Sequence, residues 1–373
     1  MRLLAAVLSC ALVLVVLWDA FETIILPRRV TRRIRLTAGF YRLTWRPWSV
    51  VARRIARARR REALLAYYGP LSTLFLLTVW ATCMILAFAG LHWALQTPVQ
   101  APEKGASFWT YLYMSGTDYF TLGLGDVTAR TGLGRALTVL EAGLGFGFLA
   151  IVIGYFPVLY QAFSHREAEI ALLDARAGSP SSAVEMLRHY SRDSSALNHN
   201  LHELERWTAE LLESHISYPV LSHFRSQHDN QSWLGAITTV LDTCALVMTG
   251  IEGIPPRQAR LTFAMARHAV VDIAQILKRP PRPPDPDRLP PSDLHRLREE
   301  LAAAGLSMPD GEETAARLAQ LRAMYEPYVN ALSHYLTMRL PAWAPERGVV
   351  HNWETSAWSR SAARCRPVPD DHA

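Results

Sequence analysis

Three stretches of this chain are apolar over the length of a membrane crossing: Met1 to Leu26, Gly69 to Leu95 and Gly132 to Phe163. A helix needs about 20 apolar residues to cross the hydrocarbon core of a bilayer. In that medium only helices and closed barrels satisfy every backbone hydrogen bond. The chain is therefore expected to be membrane-bound before His165 and polar after it. The first stretch has only Arg2 in front of it and no A-x-A site, and a dense basic run follows. It reads as an anchor rather than a cleaved leader. The basic run belongs on the cytoplasmic side, which places the N-terminus outside.

Between the second and third stretches, Ser115 to Asp126 reads S-G-T-D-Y-F-T-L-G-L-G-D. The segment Phe108 to Phe120 is too short to span and is read as a re-entrant helix, which needs protein or water around it. Its C-terminal end carries partial negative charge, favourable to a cation. In Thr121-Leu122-Gly123-Leu124-Gly125-Asp126, glycine alternates with leucine. Glycine adopts backbone conformations closed to other residues. Such an alternation turns successive carbonyls to one side, and a ring of those carbonyls replaces the hydration shell of potassium.

On these residues the chain resembles the pore-loop potassium channels, whose filter pattern is T-x-G-[Y/F/L]-G-D. The resemblance covers Gly69 to Phe163, with Thr117 and Ser115 in the pore helix. It implies an all-α membrane protein: an outer helix, a re-entrant pore loop and an inner helix, here with an extra N-terminal transmembrane helix and an α-helical cytoplasmic domain. Thr121, Leu122, Gly123, Leu124 and Gly125 would bind the permeant potassium ion, and Asp126 would stand at the outer mouth. No cofactor or other metal is implied. One pore loop per chain implies a homotetramer. Leu124 stands where an aromatic residue is usual. The pore-helix positions facing it are Tyr113 and Met114, so the usual tyrosine–tryptophan bond is missing on both sides. Leu124 is expected to be held by apolar packing, and the choice of potassium over sodium is left open. Gly145 falls at the position of the gating hinge, ahead of Pro157. Asp118 either adds charge near the filter or supports its backbone. Glu141 either faces the pore or supports the filter from behind.

The segment 27–68 is basic, cytoplasmic or interfacial. Arg28 to Arg61 holds thirteen arginines and no acid, with Phe40, Tyr41, Trp45 and Trp48 interleaved. Between membrane spans this composition suits anionic lipid headgroups rather than nucleic acid. Its arginines are too dense and too polar for a voltage sensor. Asp19 and Glu22 lie one turn apart near the inner end of the first span. They are either neutralised by the following arginines or paired with the pore unit. Lys104 and Lys278 are the only lysines, a bias that resembles GC-rich bacterial coding. The four cysteines form no C-x-x-C pair, so neither a disulfide framework nor a zinc site is expected. Gly145-Phe146-Gly147-Phe148-Leu149-Ala150 fits G-x-G-x-x-A but lies inside an apolar helix, without the preceding strand a dinucleotide site needs.

The expected domains are 1–26, the N-terminal helix; 27–68, the basic segment; 69–163, the pore domain; and 164–278, a helical cytoplasmic domain. A Pro-rich linker at 279–291, a helical region at 292–340 and a loosely ordered tail at 341–373 follow. Leu197, Leu201, Leu204, Leu211 and Leu212 keep helical spacing. Trp233 to Ile251 is apolar but contains Asp242, and reads as a buried helix rather than a fourth span. His199 and His202, one turn apart, read as surface residues. No strand–helix alternation marks a Rossmann domain, and no catalytic motif marks an enzyme. The functional expectation is a passive potassium or cation channel in the inner (plasma) membrane. Its inner helix would be gated by the cytoplasmic domain through an unknown ligand or protein. The alternative is a non-conducting membrane-anchored sensor or scaffold with a degenerate pore.

Overall fold

A computed structural model describes residues 1–26, 36–102, 105–228 and 230–345. The expected lipid-facing arginines Arg28 to Arg35 and the tail beyond Pro345 lie outside the described residues. The chain is an all-α membrane protein. In order the helices are α1 (Arg2–Ala20), closed by a π-helical turn (Phe21–Ile25), α2 (Leu36–Arg53), α3 (Ala58–Leu95), α4 (Phe108–Tyr119), α5 (Gly132–Ala177) and α6 (Ala183–His189). Then come α7 (Ser194–Ser217), a 3-10 turn (Pro219–His223), α8 (Trp233–Met248), α9 (Pro256–Ile276), α10 (Pro291–Ala303), α11 (Glu312–Ala323) and α12 (Glu326–Leu336). Two short strands, β1 (Val99–Gln100) and β2 (Thr128–Ala129), pair antiparallel with Val99 opposite Ala129. Among the described residues, three helical segments are long and apolar enough to cross a membrane: Arg2–Ile25, Ala58–Leu95 and Gly132–Ala177. Two of them exceed the apolar stretches that define them, because nothing breaks the helix where hydrophobicity ends. α5 stops at Gly178, whose φ of +86° only glycine adopts easily.

The chain forms two compact units: Met1–Pro47 with Pro70–Gln161, and Trp48–Gly69 with Ala162 onward. In the first, α1 and α3 cross closely. A Cβ on Gly90 would come within 2.4 Å of Ser9 Oγ, the kind of small-residue contact that joins membrane helices. Asp19 is fully buried there. Its carboxylate accepts from Trp80 Nε1 at 3.1 Å, Thr37 Oγ1 at 2.6 Å and Thr37 N at 3.0 Å. An acid at this depth needs such partners, so Asp19 binds the outer helix of the pore unit. Glu22 accepts from Trp18 Nε1 at 2.8 Å.

In the second unit α7 and α8 both pack on α9. The evenly spaced leucines of α7 all face the core. α8, with 16 residues, is buried on almost every face. Its Asp242 is wholly buried and accepts both Nη groups of Arg288 (3.3 and 2.6 Å) and Tyr325 OH (2.5 Å). Glu326 takes Arg288 and Arg322 at 3.0 Å each. This network explains how an acid sits inside an apolar helix.

The network also reaches into the Pro-rich linker 279–291. Leu289 is buried, and Arg282 N donates to Pro327 O at 2.9 Å. Asn330 Nδ2 donates to Arg282 O and Pro283 O. A proline-rich strand has few N–H groups of its own, and its carbonyls here take donors from α12. Helices on both sides of it therefore share one core. The first residues of the expected loose tail pack too: Trp343 is buried, and its carbonyl accepts Val184 N at 3.1 Å. Arg53, one of the thirteen arginines, donates to His334 O at 2.8 Å in the last turn of α12. Arg225 donates to Leu336 O and Thr337 O. Both cap a helix end that carries partial negative charge.

Candidate pore loop

α4 begins at a reciprocal cap. Thr110 N donates to Ser107 Oγ at 3.3 Å, and Ser107 N donates to Thr110 Oγ1 at 3.2 Å. Its 12 residues rise only about 18 Å, short of the hydrocarbon core. The loop hangs from its end: Thr121 N donates to Asp118 O at 2.9 Å, and Leu122 N to Thr117 O at 2.8 Å. From there the sign of φ alternates. Thr121, Gly123 and Gly125 lie at +55°, +60° and +76°, with Leu122 and Leu124 between them on the ordinary side. No Cβ would meet anything at Gly123 or Gly125 within the chain. Conformation, not space, is what asks for glycine there.

Behind the loop, Ser115 is fully buried, and its hydroxyl contacts Ile85 O of α3 at 2.9 Å and Glu141 Oε1 of α5. Glu141 is itself fully buried. It thus lies behind the pore helix rather than on an open face. Asp118, in the last turn of the same helix, is half-buried. Thr117 Oγ1 donates to Met114 O at 2.8 Å.

Two contacts have no signal in the sequence. Tyr113 OH donates to Asp126 Oδ2 at 2.8 Å, so the pore helix does bind the loop through an aromatic hydroxyl, at the acid rather than at position 124. Leu124 is 61% exposed, and no apolar packing holds it within one chain. The second contact involves Gly145. A Cβ there would sit 1.9 Å from Tyr119 O. The inner helix passes directly against the last turn of the pore helix, which gives glycine at 145 a packing reason independent of any hinge. Gly143, Gly147 and Gly154 meet nothing of the kind within the chain. Pro157 lies within the unbroken α5.

Beyond the loop, β1 and β2 tie the segment before α4 to the segment after Asp126. Arg130 N donates to Pro98 O at 2.8 Å, and Tyr111 OH donates to Thr97 O at 2.9 Å. His92 is buried against Tyr111, its ring stacked at 6.3 Å. The loop is thereby held at both ends: by the end of α4 on one side and by a clasped pair of strands on the other.

A short helix aimed at a glycine-alternating loop, framed by two spanning helices, is the pore-loop arrangement. Residues 73–161 match the family described as "Ion channel", and this part of the chain is a pore-loop ion-channel domain of the cation-channel kind. The chain is also similar to the "Uncharacterized membrane protein YdjJ" of Bacillus subtilis (strain 168), 22% identical over 236 residues, 60% of this chain and 67% of that protein. No solved structure matches the chain.

Proposed function

We propose that the protein is a passive, potassium-selective channel that works as a homotetramer. The observation that carries this reading is the alternating φ sign from Thr121 to Gly125. It turns the carbonyls of successive peptides to one side, where they serve as ligands for a dehydrated potassium ion. A left-handed non-glycine residue such as Thr121 costs on the order of 1 kcal/mol, and strain of that sort collects at functional sites. A single loop supplies only part of an ion's shell. Leu122 and Leu124 are both exposed in the single chain. Non-helical backbone at membrane depth needs protein or water against it. Further copies around a water-filled axis meet both requirements.

In this reading Thr121 to Gly125 bind the ion and Asp126, steadied by Tyr113, stands at the outer mouth. Ser115, Asp118 and Glu141 stiffen the pore helix from behind. α5 carries the gate, and the helical unit from Ala162 onward lies in the cytoplasm and sets its position. The N-terminus is outside the inner membrane, and the arginines from Arg28 to Arg46 meet anionic headgroups. The chain performs transport without chemistry. The test is flux into liposomes carrying the purified full chain. Potassium flux with little sodium flux is expected. Equal flux of both ions would remove selectivity from the reading, and absence of flux for either, also after deletion beyond Arg166, would remove conduction.

A further inference from the structure

The second unit encloses a cavity of about 820 Å³ whose wall holds six arginines and four acids. That volume is within the range of sites for drug-sized ligands. Two of the arginines are buried and already paired, Arg225 with Glu62 and Arg288 with Asp242 and Glu326. The side chains of Arg225 and Arg288 are 7% and 11% exposed, and the Nε of each has no hydrogen-bond partner among the described residues. The acids of the wall are already engaged: Glu62 with Arg225 at 3.4 Å, Asp174 with Ser179, Glu185 with Arg188, and Glu300 with Arg296 at 3.6 Å. Exposed Arg339 forms no ion pair among the described residues.

The remaining donors are of a kind. Ser181, Ser182 and Ser232 line the cavity, and Ser232 caps the start of α8 by accepting Gly235 N at 2.9 Å. A helix N-terminus adds free N–H groups and partial positive charge. Beside this polar wall stands an apolar one, with Ile170, Leu173, Ala236 and Leu340. A site with guanidiniums, hydroxyls and a helix start on one side, and aliphatic surface on the other, matches a phosphate group joined to an organic body.

We infer that this cavity binds a phosphorylated small molecule of about nucleotide size. Two walls give the occupant leverage. Leu173 and Asp174 belong to α5, which runs without a break from Gly132 after the filter. Arg59 belongs to the first turn of α3, which runs on to Leu95. An anion drawn to Arg59 and to the start of α8 therefore acts on the distal ends of both helices that frame the pore loop. The binding stands by itself. The effect on gating rests on the channel reading.

The test uses the purified full chain in an uncharged detergent. Titration calorimetry is run with ATP, with pyrophosphate and with a short-chain phosphatidic acid. Saturable binding of at least one probe is expected, weakened tenfold or more in Arg59→Glu/Arg339→Glu and unchanged in Arg317→Glu, an exposed arginine outside the cavity. Binding of ATP or pyrophosphate assigns a soluble ligand. Binding of phosphatidic acid alone assigns a lipid headgroup to the same phosphate site. No saturable binding of any probe, or equal weakening by Arg317→Glu, overturns the inference. Flux measured with and without the bound probe then tests regulation separately: binding without any change in flux overturns only the gating role.

Discussion

Replacing Gly145 with alanine separates packing from hinging at the inner helix. The added methyl would lie 1.9 Å from Tyr119 O and 2.9 Å from its carbonyl carbon, where ordinary contact begins near 3.4 Å. Helix α5 or the end of α4 must therefore retreat by roughly 1.5 Å, and the atom in the way is backbone, which cannot rotate aside. Overpacking of this kind typically costs 1–3 kcal/mol, and a rigid carbonyl puts this site at the upper end, about 3 kcal/mol. That is about a hundredfold in the folding equilibrium. Tyr119 is two residues before Thr121, so the shift reaches the glycine-alternating loop directly. The assays are thermal unfolding of the full chain in detergent and potassium flux in liposomes. A clear loss of stability together with loss of flux is expected. Gly147→Ala, which meets nothing within the chain, serves as the control. It should be neutral or slightly stabilising, since alanine favours helix over glycine by about 1 kcal/mol. A Gly145→Ala protein as stable as the parent, with altered gating alone, would refute the packing account and return Gly145 to the role of hinge.

Gly123→Ala places a side chain at φ +60° with open space around it. The penalty is then conformational, about 1–2 kcal/mol per chain, and flux should fall while assembly, followed by size-exclusion chromatography, persists. Asp242→Ala strips a buried arginine and a buried tyrosine of their common acceptor. Chemical denaturation should show a loss of about 3–5 kcal/mol, and a change below 1 kcal/mol would deny the network its structural role. Burial holds the imidazoles of His215 and His223 neutral, with pKa values lowered from 6.5 to about 3, helped by the positive charges of Arg166 near the first and Arg225 near the second. Below pH 6.5 the unfolded chain takes up protons that the folded unit refuses. Stability is thus complete above that pH and falls progressively toward pH 3, by roughly 3 kcal/mol per histidine at about pH 4.5. Melting temperatures flat between pH 7.5 and 4.5 would contradict this burial.

The membrane helices and the loop between them were legible in the sequence because both are local properties. Twenty apolar residues in a row need no partner to become a spanning helix, and the T-L-G-L-G-D order carries its backbone demands in its own glycines. The helical character of the polar half was legible for the same reason, through the spacing of the leucines of α7 and the caps at Ser182 and Ser232. What the sequence left open were choices between partners. Asp19 had arginines nearby in sequence, yet its carboxylate meets Trp80 and Thr37. Glu141 had two faces available and takes the one toward Ser115. Gly145 had a family role as hinge, and the tertiary structure adds a carbonyl in its path. The run from Arg279 to Pro291 has the composition of a spacer, and it becomes part of a core only because Asp242 of α8 and Asn330 of α12 offer what its arginine and its carbonyls need. Composition determines which segments leave water and which conformations the backbone takes. Which buried charge meets which donor depends on residues tens to hundreds of positions apart, and only the packed fold brings those together.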